Sequence, residues 1–263
     1  MPVGEERTSG GVNGLAASWS GSTDPADPAV AFVHGAPDTG RSFLPVAERL
    51  SGVRVLTYDR RGYGRSLDVE PPARSLGDHA SDLLHLLDDR PTTVVAHSFG
   101  SCVAILAAIR RPDVIVSLGL WEPPLPWEDW WPERSRQSVA GIVADPDPDA
   151  VGERLVRTVL GDAAWDRLGP ERQQRRRREG RAFVEDARAQ LTRQFDLEDI
   201  TVPCVLACGS DTWPWMADTA NRASAILGAE LIKVEGSQHF GHVSHPEQFA
   251  AFARRAIELA PSG

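Results

Sequence analysis

Cysteine is scarce in this chain and lysine almost absent: 263 residues hold three cysteines (Cys102, Cys204 and Cys208) and one lysine, Lys233. An odd, sparse set of thiols builds no disulfide framework. Cys204 and Cys208 share one apolar run that reads as a strand, where four residues span about 13 Å, far beyond disulfide reach. A reducing cytoplasm is the expected compartment. No run approaches the ~18 apolar residues of a membrane-spanning helix. The opening MPVGEERTSGGVNG lacks the apolar centre of a secretory signal, so no membrane partner and no export are predicted. A basic excess is missing too. With 37 acidic and 28 basic side chains, net −9, the chain repels a phosphate backbone, which makes nucleic acid a poor partner.

What is present is a globular composition, 41 % hydrophobic and 25 % charged, with enough apolar surface to offset chain entropy. After a Gly/Ser/Asp/Pro-rich stretch over 1–28, with one strand expected around Val12–Trp19, the pattern becomes regular. Apolar strand-like runs at Val30–Val33, Val53–Tyr58, Thr92–Ala96 and Val114–Leu120 alternate with helical spacing at Arg41–Leu50, Leu76–Leu87 and Ser98–Arg110. Continuous apolar strands alternating with helices predict a mainly parallel α/β sheet covered on both faces. From Glu122 to about Ile200 the alternation stops, and four helical patterns follow one another. It returns with Val202–Cys208, Trp215–Leu227, Glu230–Val234 and Pro246–Leu259. The expected organisation is one core domain, 1–122 and 201–263, with a helical cap inserted at 123–200 on the edge where strands end and ligands bind.

Three turns carry the chemistry. Ala96-His97-Ser98-Phe99-Gly100 follows an apolar strand and opens a small-residue helix, the setting in which a sharp turn lifts a serine hydroxyl above the sheet. The bland reading of the same residues is a strand-to-helix turn with Ser98 as an ordinary N-cap. His34-Gly35-Ala36 closes an earlier strand, where the Ala36 N–H is the candidate second oxyanion donor beside that of Phe99. Gly236-Ser237-Gln238-His239 follows the last strand and supplies a histidine in the order serine, acid, histidine. His239, His242 and His245 repeat every third residue, but acidic ligands are not evident beside them, and no metal is expected.

Together with Asp59-Arg60-Arg61-Gly62-Tyr63-Gly64-Arg65-Ser66, these turns resemble the α/β-hydrolase superfamily over about Val30–Leu259. The chain departs from the usual pattern at Ala96, where the first glycine of the elbow stands. The resemblance implies an eight-stranded type of sheet flanked by helices with a helical cap, Ser98 as nucleophile, His239 as general base, and Ala36 and Phe99 as oxyanion donors. Asp59 and Arg61 would be turn formers. The acid has two candidates. Asp211, in Gly209-Ser210-Asp211-Thr212, lies after the usual strand but one position before the commoner spacing, which falls on Thr212. Glu122, in Trp121-Glu122-Pro123-Pro124, lies one strand earlier and is favoured. It stands twenty-four residues after the serine, an interval similar to that in the fungal zearalenone lactone hydrolases, which also share a stretch like His239-Phe240 and Val243-Ser244-His245-Pro246-Glu247.

The expected function is cofactor-free hydrolysis of a small-molecule ester or lactone with a bulky apolar body, zearalenone-like macrolactones included, through an acyl-enzyme. The alternatives are a biosynthetic acyl transferase or cyclase on the same fold, or a protein that holds an apolar ligand without turnover. Trp127, Trp130, Trp131 and Trp213 are the expected pocket residues, because aromatic side chains concentrate in and beside the cap.

Overall fold

The strand order explains how distant turns come together. The computed structural model describes residues 14–261. In it, β1 (Ala17–Gly21), β2 (Ala29–Val33), β3 (Arg54–Tyr58), β4 (Thr92–His97), β5 (Ile115–Trp121), β6 (Cys204–Gly209) and β7 (Glu230–Val234) form one sheet, ordered β1-β3-β2-β4-β5-β6-β7. Only β1 runs antiparallel, against β3; the pairings from β3 through β7 are parallel. Seven strands are formed among the described residues, one fewer than the resemblance implied. The strand expected around Val12–Trp19 is β1; positions 12 and 13 lie outside the described residues.

Helices alternate with the strands as their apolar spacing predicts: α1 (Leu44–Ala47), α2 (Leu76–Leu87) and α3 (Phe99–Arg110) before β5, and α8 (Pro214–Leu227), α9 (Gly241–Ser244) and α10 (Pro246–Glu258) after β6. Between β5 and β6 come α4 (Glu133–Ala144), α5 (Pro148–Leu160), α6 (Asp162–Asp166) and α7 (Pro170–Ala189). The helix expected over Arg41–Leu50 is shorter. A 3₁₀ turn, Gly40–Phe43, precedes α1, because Pro45 near the start of α1 has no N–H to extend an α ladder from the turn before it. Helix α2 matches its expected bounds. Ser75 caps it by accepting from the Asp78 N–H at 3.1 Å, a contact worth about 1 kcal/mol, while Leu76, Ala80, Leu83 and Leu87 bury one face.

Two apolar layers sandwich the sheet. On one face, α2, α3 and α8 pack over Val94, Ala96, Leu118, Leu120 and Leu206. On the other, α1 and α10 cover Val30, Phe32, Val95, Val205 and Ala207. Every residue of β2 and β4 is buried, which is why both strands read as unbroken apolar runs. Strand β2 sits between β3 and β4, so the chain reverses direction across the sheet there. The turns after β2, β4, β5 and β6 therefore gather along one edge. Among the described residues, no helix is long and apolar enough to cross a membrane.

Candidate active site

Ser98 stands at the junction of β4 and α3 with φ 53° and ψ −129°. A side chain tolerates this region poorly, and a turn that holds a non-glycine residue there keeps it for geometry rather than comfort. An N-cap serine would bond back to the first turn of its helix. Ser98 makes no such bond, and its hydroxyl has no hydrogen-bond partner among the described residues. The N-cap reading therefore fails. Two glycines make the turn possible. A Cβ on Gly100 would come 2.3 Å from the carbonyl oxygen of Val33, and one on Gly35 would come 2.8 Å from the Ser98 Cβ.

Strand β5 lies beside β4, and the residue after it, Glu122, is fully buried with φ 47°. Its carboxylate collects three donors. Oε1 accepts from the Gly209 N–H at 2.9 Å, and Oε2 accepts from the Thr212 hydroxyl at 2.8 Å and from His239 Nδ1–H at 2.5 Å. Charged acceptors give short, strong bonds of this kind. Asp211 takes no part. It is exposed, and its carboxylate accepts from Ser210 Oγ at 2.9 Å. Thr212, at the commoner acid position, holds the glutamate instead. The His239 ring centroid lies 4.6 Å from that of His97, the residue before the serine.

The other side of the elbow is the turn after β2. The Ala36 and Phe99 N–H groups donate to no acceptor among the described residues, so both remain available to an incoming oxygen. Arg60 fixes this turn. Its Nε donates to the His34 carbonyl at 2.9 Å and its Nη2 to the Gly35 carbonyl at 3.3 Å. His34 Nδ1–H also donates to Gly35 O at 2.7 Å, while its Nε2 accepts from the Arg60 N–H at 2.8 Å. Burial, reinforced by the Arg60 charge, holds the His34 pKa down at about 4, so this imidazole is neutral.

Arg60 is buried completely, and its counter-charge is Asp186 on α7, 2.8 Å away. Tyr63 and His79 also donate to that carboxylate. Burial alone would raise the Asp186 pKa, but Arg60 and His79 outweigh it and hold the carboxyl well below the usual range. Asp186→Ala would strand a guanidinium in the core, with an expected cost of about 3–5 kcal/mol in urea unfolding. A loss below about 1 kcal/mol would show that Arg60 does not depend on α7. As expected, Asp59 and Arg61 are turn formers: Asp59 accepts from the Gly40 and Arg65 N–H groups, and Arg61 forks onto Asp82.

This geometry has relatives. Residues 30–252 match the profile described as the alpha/beta hydrolase family. The chain belongs to that family. The lipase LipV of Mycobacterium tuberculosis is 35 % identical over 150 residues, which are 56 % of this chain and 55 % of that protein; the chain thus spans just over half the length of this curated relative. Two solved structures have the same fold. An esterase from Thermogutta terrifontis superposes with a TM-score of 0.70 at 20 % identity, covering 94 % of each chain. An epoxide hydrolase from Vigna radiata also gives 0.70, at 18 % identity and 97 % of each chain.

In this alpha/beta hydrolase, a cavity of about 460 Å³ opens beside His239. Its apolar walls are Val159 and Leu160 at the end of α5, Trp213, Phe240 and Val243; Asp211, Thr212 and Gln238 add polar atoms. Trp213 packs 5.3 Å from the His239 ring and stacks on Trp215. The structure takes the other three expected tryptophans elsewhere. Trp127 packs edge-on against Phe195, Trp130 lies under the Arg222 guanidinium, and Trp131 is buried. None of the three lines this cavity, because an indole satisfies its need for burial against any apolar neighbour.

Nor do the three regularly spaced histidines of this family member converge. His239 binds Glu122, and His245 Nδ1 bonds with the Ser244 hydroxyl at the surface. The donor atoms of Asp38, His97 and His242 do lie within 4.8 Å of one another. Hydrogen bonds already engage this group. His242 Nε2–H donates to Asp38 at 2.9 Å, and the same carboxylate accepts from the Thr39 N–H and the Ser42 hydroxyl. Burial would raise the Asp38 pKa, but His242 outweighs it and keeps the carboxyl below its ordinary value. The set reads as a hydrogen-bonded core pair rather than an open ligand cage. Sequence reasoning missed Thr212 as a donor, the Arg60–Asp186 anchor, and Leu160. Only Thr212 left a local signal, since it stands where the family usually places the acid.

Proposed function

We propose that this alpha/beta hydrolase cleaves a carboxylic ester or lactone with a bulky, largely apolar body through a covalent acyl-enzyme. The observation that carries the reading is the 2.5 Å bond from His239 Nδ1–H to a buried Glu122, together with a serine, one residue after a His97 ring 4.6 Å from that of His239, whose turn leaves its hydroxyl unbonded. Nδ1–H on Glu122 leaves Nε2 as the acceptor, the tautomer a general base requires. Ser98 Oγ attacks the carbonyl carbon while His239 takes its proton. The Ala36 and Phe99 N–H groups hold the oxyanion, a contribution of about 3–4 kcal/mol per donor in comparable sites. His239 then returns the proton to the leaving alkoxide, and water, activated by the same base, releases the acid.

The apolar wall of the 460 Å³ cavity, which reaches His239 but is not lined by Ser98, is the support for an apolar substrate body, and residues 123–200 serve as a cap that supplies part of that wall through α5. A lipase among the relatives supports ester chemistry. Macrolactones of the zearalenone type are the extended case, and the three free cysteines suit a reducing cytoplasm. The test is a pre-steady-state burst with p-nitrophenyl esters of graded acyl length, followed by mass analysis of products from macrolactones. A burst equal to the enzyme concentration, then steady turnover, is expected. Absence of any burst or covalent acyl adduct would remove the reading. Leu160→Asp is expected to raise KM for the octanoate ester about ten-fold, as buried apolar area worth ~1.5 kcal/mol is lost. Acetate hydrolysis should change by no more than about two-fold. Equal losses on both esters would detach the cavity from substrate binding.

A further inference from the structure

We propose that the side chains of His97 and Trp121 clamp the backbone carbonyl of His239 and so hold its imidazole in register with Ser98 and Glu122. The inference rests on the serine-hydrolase reading above. That carbonyl accepts two hydrogen bonds, from Trp121 Nε1–H at 2.8 Å and from His97 Nε2–H at 3.0 Å. The donors have a particular place in the chain. His97 immediately precedes the nucleophile, Trp121 immediately precedes the acid, and the two are directly paired across β4 and β5. Paired residues on neighbouring strands point to the same face of the sheet. Both side chains therefore reach the same loop, while the next residue of each strand leaves for its turn at positive φ. The strand ends are also tied to each other, since the Ser98 N–H donates to the Trp121 carbonyl at 2.8 Å.

The surroundings keep both donors in place. Trp121 is fully buried, with its ring 5.1 Å from Phe249, and a Cβ on Gly241 would come 2.3 Å from the indole. The helix that follows His239 thus sits directly on the tryptophan. His97 is also fully buried, with its ring 4.6 Å from those of His239 and His242. Burial and these two imidazoles hold its pKa well below the ordinary value, so it stays neutral with its proton on Nε2. Elsewhere the loop that carries the base is tied to the turn after β6, through Asp211 N–H on the Ser237 carbonyl and Gly236 N–H on Ser210 Oγ, upstream of His239 itself; an error near 1 Å in a reacting group costs about 10²-fold.

The test uses the full chain, p-nitrophenyl butyrate as probe, and three variants. Trp121→Phe keeps the ring and removes the donor, His97→Leu removes the second donor, and His97→Gln restores an N–H at about the same reach. Trp121→Phe and His97→Leu are each expected to lower kcat about 10–100-fold with KM within about two-fold, and His97→Gln to recover to within about three-fold of wild type. The strongly downfield proton resonance of the His239–Glu122 bond should weaken in the first two variants and return in His97→Gln. Wild-type kcat with an unmoved resonance in both donor-removing variants would overturn the clamp, as would His97→Gln behaving like His97→Leu. If Trp121→Phe does not fold, the two His97 variants decide. A fluorophosphonate label on Ser98 separates the two levels. An unlabelled wild type removes the serine reading and the clamp's purpose with it, whereas a labelled wild type with unaffected variants removes the clamp alone.

Discussion

Glu122→Gln is expected to fold like the wild type and to lose about four powers of ten in turnover. The buried carboxylate faces three donors: the Gly209 N–H, the Thr212 hydroxyl and His239 Nδ1–H. An amide offers an oxygen to only part of that set. With its oxygen on Gly209 N–H, which cannot turn away, its NH₂ faces Thr212 and His239. The threonine hydroxyl can rotate to accept. The imidazole can accept only by moving its proton to Nε2, the atom that takes the serine proton in the proposed mechanism. The fold persists because shape and most bonds persist, while the base is held in the wrong tautomer. Asp211→Asn, at an exposed residue whose carboxylate bonds only to its neighbour's hydroxyl and whose backbone N–H, kept in the variant, donates to the Ser237 carbonyl, should change turnover by about two-fold or less. Steady-state rates on p-nitrophenyl butyrate, with thermal melts as the folding control, rank the two variants. The opposite ranking would transfer the acid to Asp211.

Ser98→Ala should end acyl-enzyme formation while leaving stability within about 1 kcal/mol of wild type. The hydroxyl bonds to nothing among the described residues, so its removal strands no partner. Alanine meets the same positive φ that serine already bears, so the strain is unchanged. Residual catalysis by the oxyanion donors and by substrate binding survives such a loss in comparable triads, so the expected fall is at least about 10³-fold rather than to the uncatalysed rate. Intact-protein mass spectrometry after a chromogenic ester should show an acyl adduct on the wild type and none on the variant. An adduct that persists on Ser98→Ala would place the nucleophile elsewhere.

Much of this architecture was legible because it is local. Leu76–Leu87 repeats its leucines and alanine at helical spacing, and the helix has those bounds. Val94, Val95 and Ala96 read as a strand covered on both faces, and so they are. Glu122 could be singled out because a strand end, two prolines and an interval from the serine are features of sequence. What stayed hidden depends on contacts between residues far apart in the chain. Nothing local announces that Trp121 would reach His239, that Thr212 would serve a carboxylate ninety residues and one strand earlier, or that Asp186 of a surface-like arginine-rich helix would neutralise Arg60 in the core. The tryptophans show the same limit from the other side. Composition tells that an indole will be covered, not by what, and only Trp213 of the four lies against the cavity.

The buried Arg60–Asp186 pair also bears on how molecules would reach the proposed reaction centre. Two buried carboxylates fasten helix α7, Asp186 on Arg60 and Glu179, which accepts the Gly64 N–H at 3.0 Å, and the exposed Arg178–Asp68 pair adds a surface tie. Lifting α7 away would leave the Arg60 guanidinium, still packed over the Tyr63 and Phe99 rings, without its carboxylate, at a cost of up to about 3–5 kcal/mol. A gate with that energy stands open for only about one part in 10² to 10⁴ of the time. Traffic through it would be throttled before any bond was broken. The side opening between Leu160, Trp213 and Val243 needs no such movement, and its three apolar residues are among the most solvent-exposed large hydrophobics of the described residues. Substrates should therefore slip in sideways past a fixed roof, and turnover should be nearly indifferent to a cross-link that welds α7 to the loop after β3.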